Sequence, residues 1–121
     1  MRALIIVNPV AGEQRPLRIA DDAAEYLRRA DWQVDIWPTE HGGHATELAQ
    51  RRGSRDLLVV VGGDGTLRET VAGLAGDQTP VGFVPIGKAN VMARELGIPR
   101  SPHAAIRVLT TGVATAIDVG T

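Results

Sequence analysis

A glycine-rich pentapeptide, Gly62-Gly63-Asp64-Gly65-Thr66, carries the clearest chemical signal in the sequence. Three glycines within four residues cost backbone entropy, which indicates that something approaches the main chain closely. Converging N–H groups, the positive end of a following helix and the Thr66 hydroxyl could hold a phosphate group. Asp64 would repel that phosphate, but it could hold a Mg²⁺ ion that neutralises the charge. The alternative is a tight turn at Asp64-Gly65 with Thr66 as a helix N-cap.

Two common phosphate-loop motifs fit the sequence poorly. The dinucleotide motif G-x-G-x-x-G fails because position 68 is Arg68. The segment 82–88 begins like a Walker A loop, but Ala89 stands where Ser or Thr would bind Mg²⁺, and Gly82 falls inside a predicted strand. Arg68 and Lys88 are both predicted in first turns of helices, where a cation opposes the helix dipole unless an anion is bound. They therefore either form a phosphate pocket or simply point to solvent.

The elements that must position these residues alternate along the chain. Apolar runs predict strands, and period-3.6 patterns predict helices, with a capping box Thr66-x-x-Glu69 and a stop at Gly76. The predicted strands cover 4–7, 34–37, 57–61, 81–84 and 113–119. The first predicted helix begins at Pro16 and has Ala20, Ala23, Ala24 and Leu27 on one face. The other predicted helices cover 44–52, 66–75, 88–96 and the segment from Ser101-Pro102 to Gly112. This order predicts an α/β fold with a doubly wound, mainly parallel sheet and helices on both faces, a three-layer Rossmann-like arrangement.

The loops after the first four strands are rich in Gly, Pro, Asn, Asp and Thr; they cover residues 8–12, 38–43, 62–66 and 85–90. Because ligands of such sheets gather beyond the carboxyl ends of the strands, we expect these loops to meet at one edge. The sequence thus predicts a cradle for a triphosphate there.

Composition narrows the function classes. The 121 residues fit one domain, the net charge is −1 and aromatic residues make up 3%, so nothing favours nucleic acid or an anionic membrane face. With no cysteine, a disulfide scaffold, a thiolate metal site and a cysteine nucleophile are excluded; a cytoplasmic location is expected. No apolar run approaches the roughly 20 residues of a membrane span. His41, His44 and His103 show no metal-ligand spacing, and we expect surface or capping roles for them.

The loop sequences resemble the N-terminal catalytic domain of the diacylglycerol kinase and bacterial lipid kinase family, which includes sphingosine kinases. The resemblance rests on segments 7–12, 39–40, 62–67 with Glu69, 85–87 with Asn90, 89–99 and 118–120, and it spans essentially the whole chain. Two departures stand out. The family usually has Thr or Ser at position 88 and commonly Asn or His at position 68, where this chain has Lys88 and Arg68.

The resemblance implies ATP-dependent phosphorylation of a lipid hydroxyl, with ATP and Mg²⁺ as cofactors. It implies a nucleotide site formed by Asn8, Pro9, Val10, Ala11, Gly12, Thr39, Gly62, Gly63, Asp64, Gly65, Thr66, Leu67, Arg68, Lys88 and Asn90. Asp64 is the candidate metal ligand and also the candidate to orient or deprotonate the attacking hydroxyl. We expect the chain to stop before a C-terminal β-rich domain that completes the lipid site. The isolated domain is then expected to bind nucleotide weakly and turn over little or nothing. The whole protein is expected to contact a membrane at most peripherally, at the inner face.

Two other functions remain open at this stage. One is a kinase with the same glycine motif that acts on a soluble acceptor such as NAD or a sugar phosphate. The Asn8-Pro9-x-x-Gly12 loop and the Gly87-x-x-Asn90 spacing argue against it. The other is a non-catalytic module that binds a nucleotide or a partner chain, which Lys88 would support.

Overall fold

The computed structural model of the chain describes residues 1–11, 15–86 and 91–110. Strands and helices alternate through most of these ranges, as predicted. The elements are β1 (Arg2–Val7), α1 (Pro16–Arg29), β2 (Gln33–Pro38), α2 (His44–Gln50), β3 (Leu57–Gly62), α3 (Asp64–Leu74), β4 (Val81–Pro85), α4 (Val91–Glu95) and α5 (Pro102–Arg107). The predicted strand over 113–119 and the stop at Gly112 lie outside the described residues. No helix in the described ranges combines the length and apolarity needed to cross a bilayer.

The four strands form one parallel sheet in the order β2-β1-β3-β4. In the centre, Ile5 of β1 lies opposite Ile36 on one side and Val59 on the other. Both central strands are buried along almost their whole length, whereas β2 alternates between exposed and half-buried residues. Strands that are apolar on both faces require cover on both faces. The predicted parallel α/β sheet is confirmed.

The order of the strands decides which helices share a face. The connection from β1 to β2 and the connection from β2 to β3 cross the sheet in opposite directions. Because such connections are right-handed, α1 and α2 lie on opposite faces, and α3 joins α2. The packing agrees: α2 packs against α3, and α1 against α5. The Tyr26 hydroxyl of α1 donates to the Arg107 carbonyl of α5 at 3.0 Å.

Two helix starts agree with the sequence. Pro16 is the first residue of α1, and the predicted face Ala20, Ala23, Ala24 and Leu27 is fully buried. Ser101 caps α5, with its Oγ accepting from the Ala104 N–H at 3.5 Å. In both helices the sequence signal is local: proline fixes the first turn, and small apolar residues at helical spacing define the buried face.

The start of α3 was predicted wrongly. The helix begins at Asp64, two residues before the predicted start, and its N-cap is Gly63 in an extended conformation. Thr66 is therefore the third helical residue, and the predicted capping box with Glu69 does not form. The physical reason is that Thr66 turns inward: it is only 7% exposed, and a Cβ at Gly62 would lie 3.0 Å from its Cβ and Oγ1. The helix ends at Leu74, just before the predicted stop at Gly76.

Gly73 allows α2 and α3 to pack unusually close. A Cβ at this buried position would lie 2.4 Å from the carbonyl oxygen of Thr46 and 2.7 Å from the Cβ of Ala49, both in α2. Thr46 adds a hydrogen bond across the same contact, since its Oγ1 donates to the Glu69 carbonyl at 2.7 Å. The two helices therefore form a tight pair whose N-terminal ends lie at the carboxyl edge of the sheet.

Candidate functional site

The direction of the chain reverses between β1 and β3, the two central strands. From β1 the chain continues to β2 on one side, and from β3 it continues to β4 on the other. Loops that leave in opposite directions open a crevice beyond the strand ends, the usual ligand position in doubly wound sheets. The Asn8 N–H donates to the Val61 carbonyl at 3.0 Å, so the two strand ends stay side by side at this crevice.

The loop after β1 is held in a tight turn. The Asn8 side-chain oxygen accepts from the Val10 N–H at 3.2 Å, and the Asn8 carbonyl accepts from the Ala11 N–H at 3.2 Å. An asparagine that bonds to the backbone two residues ahead is a common way to fix a turn. Val10 at its tip is 84% exposed, which is unusual for an apolar side chain of this size. The loop is thus shaped before any ligand binds.

The loop after β2 is tied at two points. The Thr39 N–H donates to the Val7 carbonyl at 2.8 Å, which places Thr39 beside the end of β1. The Glu40 N–H donates to Nδ1 of His44, the first residue of α2, at 2.9 Å. The second strand's loop is therefore fixed against both the first strand and the helix that follows.

The glycines at the start of α3 have different reasons to be glycine. Gly62 is required by the close approach of Thr66 described above. Among the described residues, a Cβ at Gly63 would meet only the Ile86 carbonyl oxygen, at an ordinary 3.9 Å, and a Cβ at Gly65 would meet nothing within 4 Å. Packing within the described part of the chain thus does not explain Gly65, which is exposed in the first turn of α3. The N-cap, Gly63, has no side chain that could accept a hydrogen bond from the first N–H groups of α3.

Three of the loops enclose one cleft of about 270 Å³. Its wall combines oxygen-bearing side chains with the turn after β1. The lining residues are Asn8, Pro9, Val10, Thr39, Glu40, His41, Gly42, Thr66 and Glu69. Among these described lining residues there are two carboxylates and no lysine or arginine. An anionic ligand in this cleft would need positive charge from a metal ion or from residues outside the cleft wall.

Ile86 and Val91, the described residues on either side of segment 87–90, both lie beside the glycine motif. The Ile86 N–H donates to the Gly62 carbonyl at 2.8 Å, and the Val91 N–H donates to Oδ2 of Asp64 at 3.0 Å. Ile86 and Val91 are thereby held at the same edge as the other loops. The predicted site residues Lys88 and Asn90 belong to this segment and, with Gly12, lie outside the described residues.

The other predicted site residues are placed unequally. Asn8, Pro9, Val10, Thr39 and Thr66 line the cleft. Leu67 is completely buried in the core, so it can offer a ligand only its backbone. Arg68 is exposed and is not part of the cleft wall. The same lining does not include five other predicted site residues, namely Ala11, Gly62, Gly63, Asp64 and Gly65.

Sequence reasoning omitted Glu40, His41, Gly42 and Glu69 from the site, although all four line the cleft. A signal for Glu69 existed, since it lies three residues after Thr66 and hence on the same helix face. Glu69 was instead interpreted as the partner of Thr66 in a capping box. For the residues after Thr39 the signal was only their position at the end of a predicted strand.

A larger cavity of about 600 Å³ lies between α1 and α5. Its lining includes Tyr26, Arg29, His103 and Ile106, and none of the four strand-end loops contributes to it. Size alone would favour this cavity as a binding site. We favour the smaller cleft because it lies at the topological reversal and beside an uncapped helix start, where ligands of this fold class bind.

Comparison with known proteins agrees with this architecture. Residues 2–121 match the family model described as the diacylglycerol kinase catalytic domain. Curated diacylglycerol kinases from Staphylococcus epidermidis and Staphylococcus aureus are each 37% identical over 123 aligned residues, covering 98% of this chain and 39% of their own length. A solved structure of a diacylglycerol kinase from Bacillus anthracis superposes with a TM-score of 0.79 at 32% identity, covering 91% of this chain and 42% of that one.

The chain thus spans about 39% of the curated relatives that it matches. The family-model match extends over nearly every residue, and the fold agrees with that of the solved relative. The chain belongs to the diacylglycerol kinase catalytic domain family.

Proposed function

We propose that this chain is the nucleotide-binding part of a lipid kinase that transfers the γ-phosphoryl group of ATP to a lipid hydroxyl. The observation that carries the proposal is the first turn of α3: its N-cap is a glycine, and its third residue, Thr66, lines the cleft together with the loops after β1 and β2. Backbone N–H groups and a helix dipole suit a phosphate chain. No described residue lies within 4 Å of a Cβ placed at Gly65, so the described part of the chain would let a phosphate approach those groups.

Acidic side chains in and beyond the cleft wall support a role for Mg²⁺. Glu40 and Glu69 line the wall, and Asp64, which is not a lining residue, is the first residue of α3. Oxygen ligands of this kind suit Mg²⁺, which is usually bound through one or two carboxylates together with substrate phosphates. We propose Asp64 as the residue that holds the ion. When bound, Mg²⁺ would neutralise charge on the transferring phosphoryl group.

The chain's own residues would act mainly by positioning. In phosphoryl transfer the protein gains most from holding the phosphates in line and stabilising their charge. Asn8 shapes the first loop, and Thr39 and Thr66 present hydroxyl groups to the cleft. We propose that Lys88 and Arg68 supply further positive charge near the phosphates. A carboxylate engaged with both a metal ion and the Val91 N–H is a poor general base, so the base for the acceptor hydroxyl is expected elsewhere in a longer protein.

The proposed acceptor places the enzyme at a membrane surface as a peripheral protein on the cytoplasmic side. Relatives of this chain are more than twice its length. We therefore propose that the lipid site needs a further domain. The chain alone should bind ATP and turn over little.

Two measurements test the proposal. In the first, backbone amide NMR shifts of the chain are followed during titration with ATP and Mg²⁺. Amides of Asn8, Thr39 and Thr66 should shift, whereas those of Tyr26 and Ile106 beside the larger cavity should not; the reverse pattern would contradict the assigned site.

In the second, the longest natural protein that contains this chain is assayed with labelled ATP and either diacylglycerol in mixed micelles or NAD. Phosphate transfer to the lipid is expected. Transfer to NAD alone would replace the lipid kinase by a kinase for a soluble acceptor.

A further inference from the structure

Two histidines and a glutamate come together where the loop after β2 enters α2. Ligand atoms of His41, His44 and Glu47 all lie within 4.8 Å of one another. The two imidazole rings stack with their centroids 4.6 Å apart. His41 and Glu47 are exposed and His44 is half-buried. Two imidazoles and a carboxylate are the ligand set of many zinc sites that keep one position open for water.

The hydrogen bonds of His41 prepare it to bind a metal ion. Its Nδ1 lies 2.8 Å from the Gly42 carbonyl oxygen. A carbonyl oxygen can only accept, so Nδ1 donates, and the uncharged ring carries its lone pair on Nε2. Metal-bound histidines usually donate their second ring N–H to a carbonyl or carboxylate in this way. His41 thus already has the tautomer that a metal ligand needs.

His44 is in a different state. Its Nδ1 accepts from the Glu40 N–H at 2.9 Å, so in the uncharged ring the proton lies on Nε2. A metal ion bound to Nδ1 would displace the Glu40 N–H. A metal ion bound to Nε2 would leave a proton on Nδ1, facing the N–H of Glu40. In either case metal binding and the Glu40–His44 hydrogen bond exclude each other.

We propose that His41, His44 and Glu47 form a site for a divalent transition-metal ion such as Zn²⁺, at the rim of the cleft. The site is distinct from that proposed for Mg²⁺, because imidazole suits Zn²⁺, Cu²⁺ and Ni²⁺ whereas Mg²⁺ prefers oxygen ligands. Occupation of the site breaks the Glu40–His44 hydrogen bond and releases one of the two ties that fix the loop after β2. Since Glu40, His41 and Gly42 line the cleft, the metal ion would reshape one of its walls.

The test is calorimetric titration of the full 121-residue chain with Zn²⁺ alone, without nucleotide. One ion should bind to the wild type. Loss of an outer-shell partner of a metal site costs roughly 10–100-fold in affinity, so loss of a ligand in His41→Ala or Glu47→Gln should cost at least that. His103→Ala is the matched control, because His103 lies on α5 and pairs with Asp22 at 3.1 Å. This variant should bind Zn²⁺ as the wild type does.

Two results would overturn the proposal. One is equal Zn²⁺ affinity for the wild type, His41→Ala and Glu47→Gln, with all three folded by circular dichroism. The other is an unchanged Glu40 amide at saturating Zn²⁺, since its NMR resonance should shift and its hydrogen exchange should accelerate when the His44 bond is lost. Mg²⁺ at the same concentration should leave that amide unchanged. Neither measurement depends on kinase activity, so failure here leaves the proposed function untouched.

Discussion

Oδ2 of Asp64 accepts a hydrogen bond from the Val91 N–H at 3.0 Å, and this bond joins the first residue of α3 to the first residue of α4. The two residues are 27 positions apart in the sequence; Asp64 lies within the glycine motif, and Val91 directly follows segment 87–90. The Asp64 carboxylate therefore holds two loops together, whatever it does for a metal ion. Any experiment on this residue has to separate its charge from its role as an acceptor.

The variants Asp64→Asn and Asp64→Ala separate the charge of Asp64 from its role as a hydrogen-bond acceptor. Asparagine keeps an acceptor for the Val91 N–H but removes the charge, so its unfolding free energy should stay within about 0.5 kcal/mol of wild type. ATP binding should become independent of Mg²⁺ in this variant. Alanine should lose the Mg²⁺ dependence and also about 1 kcal/mol of stability, as when a helix loses a capping acceptor. Calorimetry with ATP, with and without Mg²⁺, and urea unfolding measure the two effects. Wild-type Mg²⁺ dependence in Asp64→Asn would remove Asp64 from the metal site.

Gly65→Ala and Gly73→Ala are a matched pair within α3. At Gly65 the added methyl meets no atom of the described residues within 4 Å, so stability should hold or rise by up to about 1 kcal/mol, as expected for Gly to Ala in a helix. ATP affinity should fall by about 5- to 150-fold, because a methyl group forced into a filled site costs roughly 1–3 kcal/mol.

At Gly73 the methyl would overlap the Thr46 carbonyl, and stability should drop by roughly 1–3 kcal/mol. Urea unfolding and ATP titration of both variants provide the comparison. A stabilised Gly65→Ala that binds ATP like the wild type would show that the space beside Gly65 is not used.

Asn8→Asp adds a negative charge to the cleft while preserving the side-chain acceptor for the Val10 N–H. Two unit charges 4 Å apart interact by between about 1 kcal/mol in water and about 4 kcal/mol near a protein surface. We therefore expect roughly tenfold weaker ATP binding at low salt, with a smaller difference at high salt because exposed charges are screened. Gln33→Glu is the control, since Gln33 starts β2 at the opposite edge of the sheet. Equal losses in both variants would point to net charge rather than to the site.

The Asp77 carboxylate should stabilise the folded state near neutral pH, and this contribution should be lost in acid. The side-chain hydrogen bond from Arg52 holds the pKa of Asp77 below its ordinary value of 3.8, and the hydroxyl of Thr79, 3.2 Å from Oδ2, acts in the same direction. A carboxyl group with a lowered pKa in the folded state stabilises the fold above its unfolded pKa. That contribution is lost as the pH falls through the folded value.

Asp77→Asn should therefore be less stable than the wild type near neutral pH, and the difference should shrink as the pH drops below about 3.8. Urea unfolding at several pH values measures it. Asp21→Asn, at an exposed position of α1, is the control for removal of one carboxylate. A difference that stays constant with pH would rule out the linkage.

The four described strands could be predicted from the sequence because their sequence patterns are simple. Leu57 to Val61 can only be a strand buried on both faces, and Pro16 with four small or apolar residues at helical spacing defines α1. The positions of the loops then follow from the topology rules of parallel sheets.

The start of α3 could not be predicted, because Thr66-x-x-Glu69 satisfies a local rule that tertiary packing overrides. Thr66 is buried against Gly62, and Glu69 faces the cleft instead of capping. The meeting of His41, His44 and Glu47 was equally hidden. It depends on the turn at Gly43, where φ is 82°, and on the tautomers that Gly42 and Glu40 impose.

The lack of a side chain at Gly73 affects the cleft as well as the contact between α2 and α3. Because α2 and α3 lie so close there, they should move as one unit, and both helices are joined to the cleft: α2 follows Glu40 and His41, and α3 contributes Thr66 and Glu69. The width of the cleft is then set partly at Gly73, about two helical turns beyond Thr66. Natural variation at this buried position would be a means of adjusting nucleotide affinity without altering a single residue in the cleft.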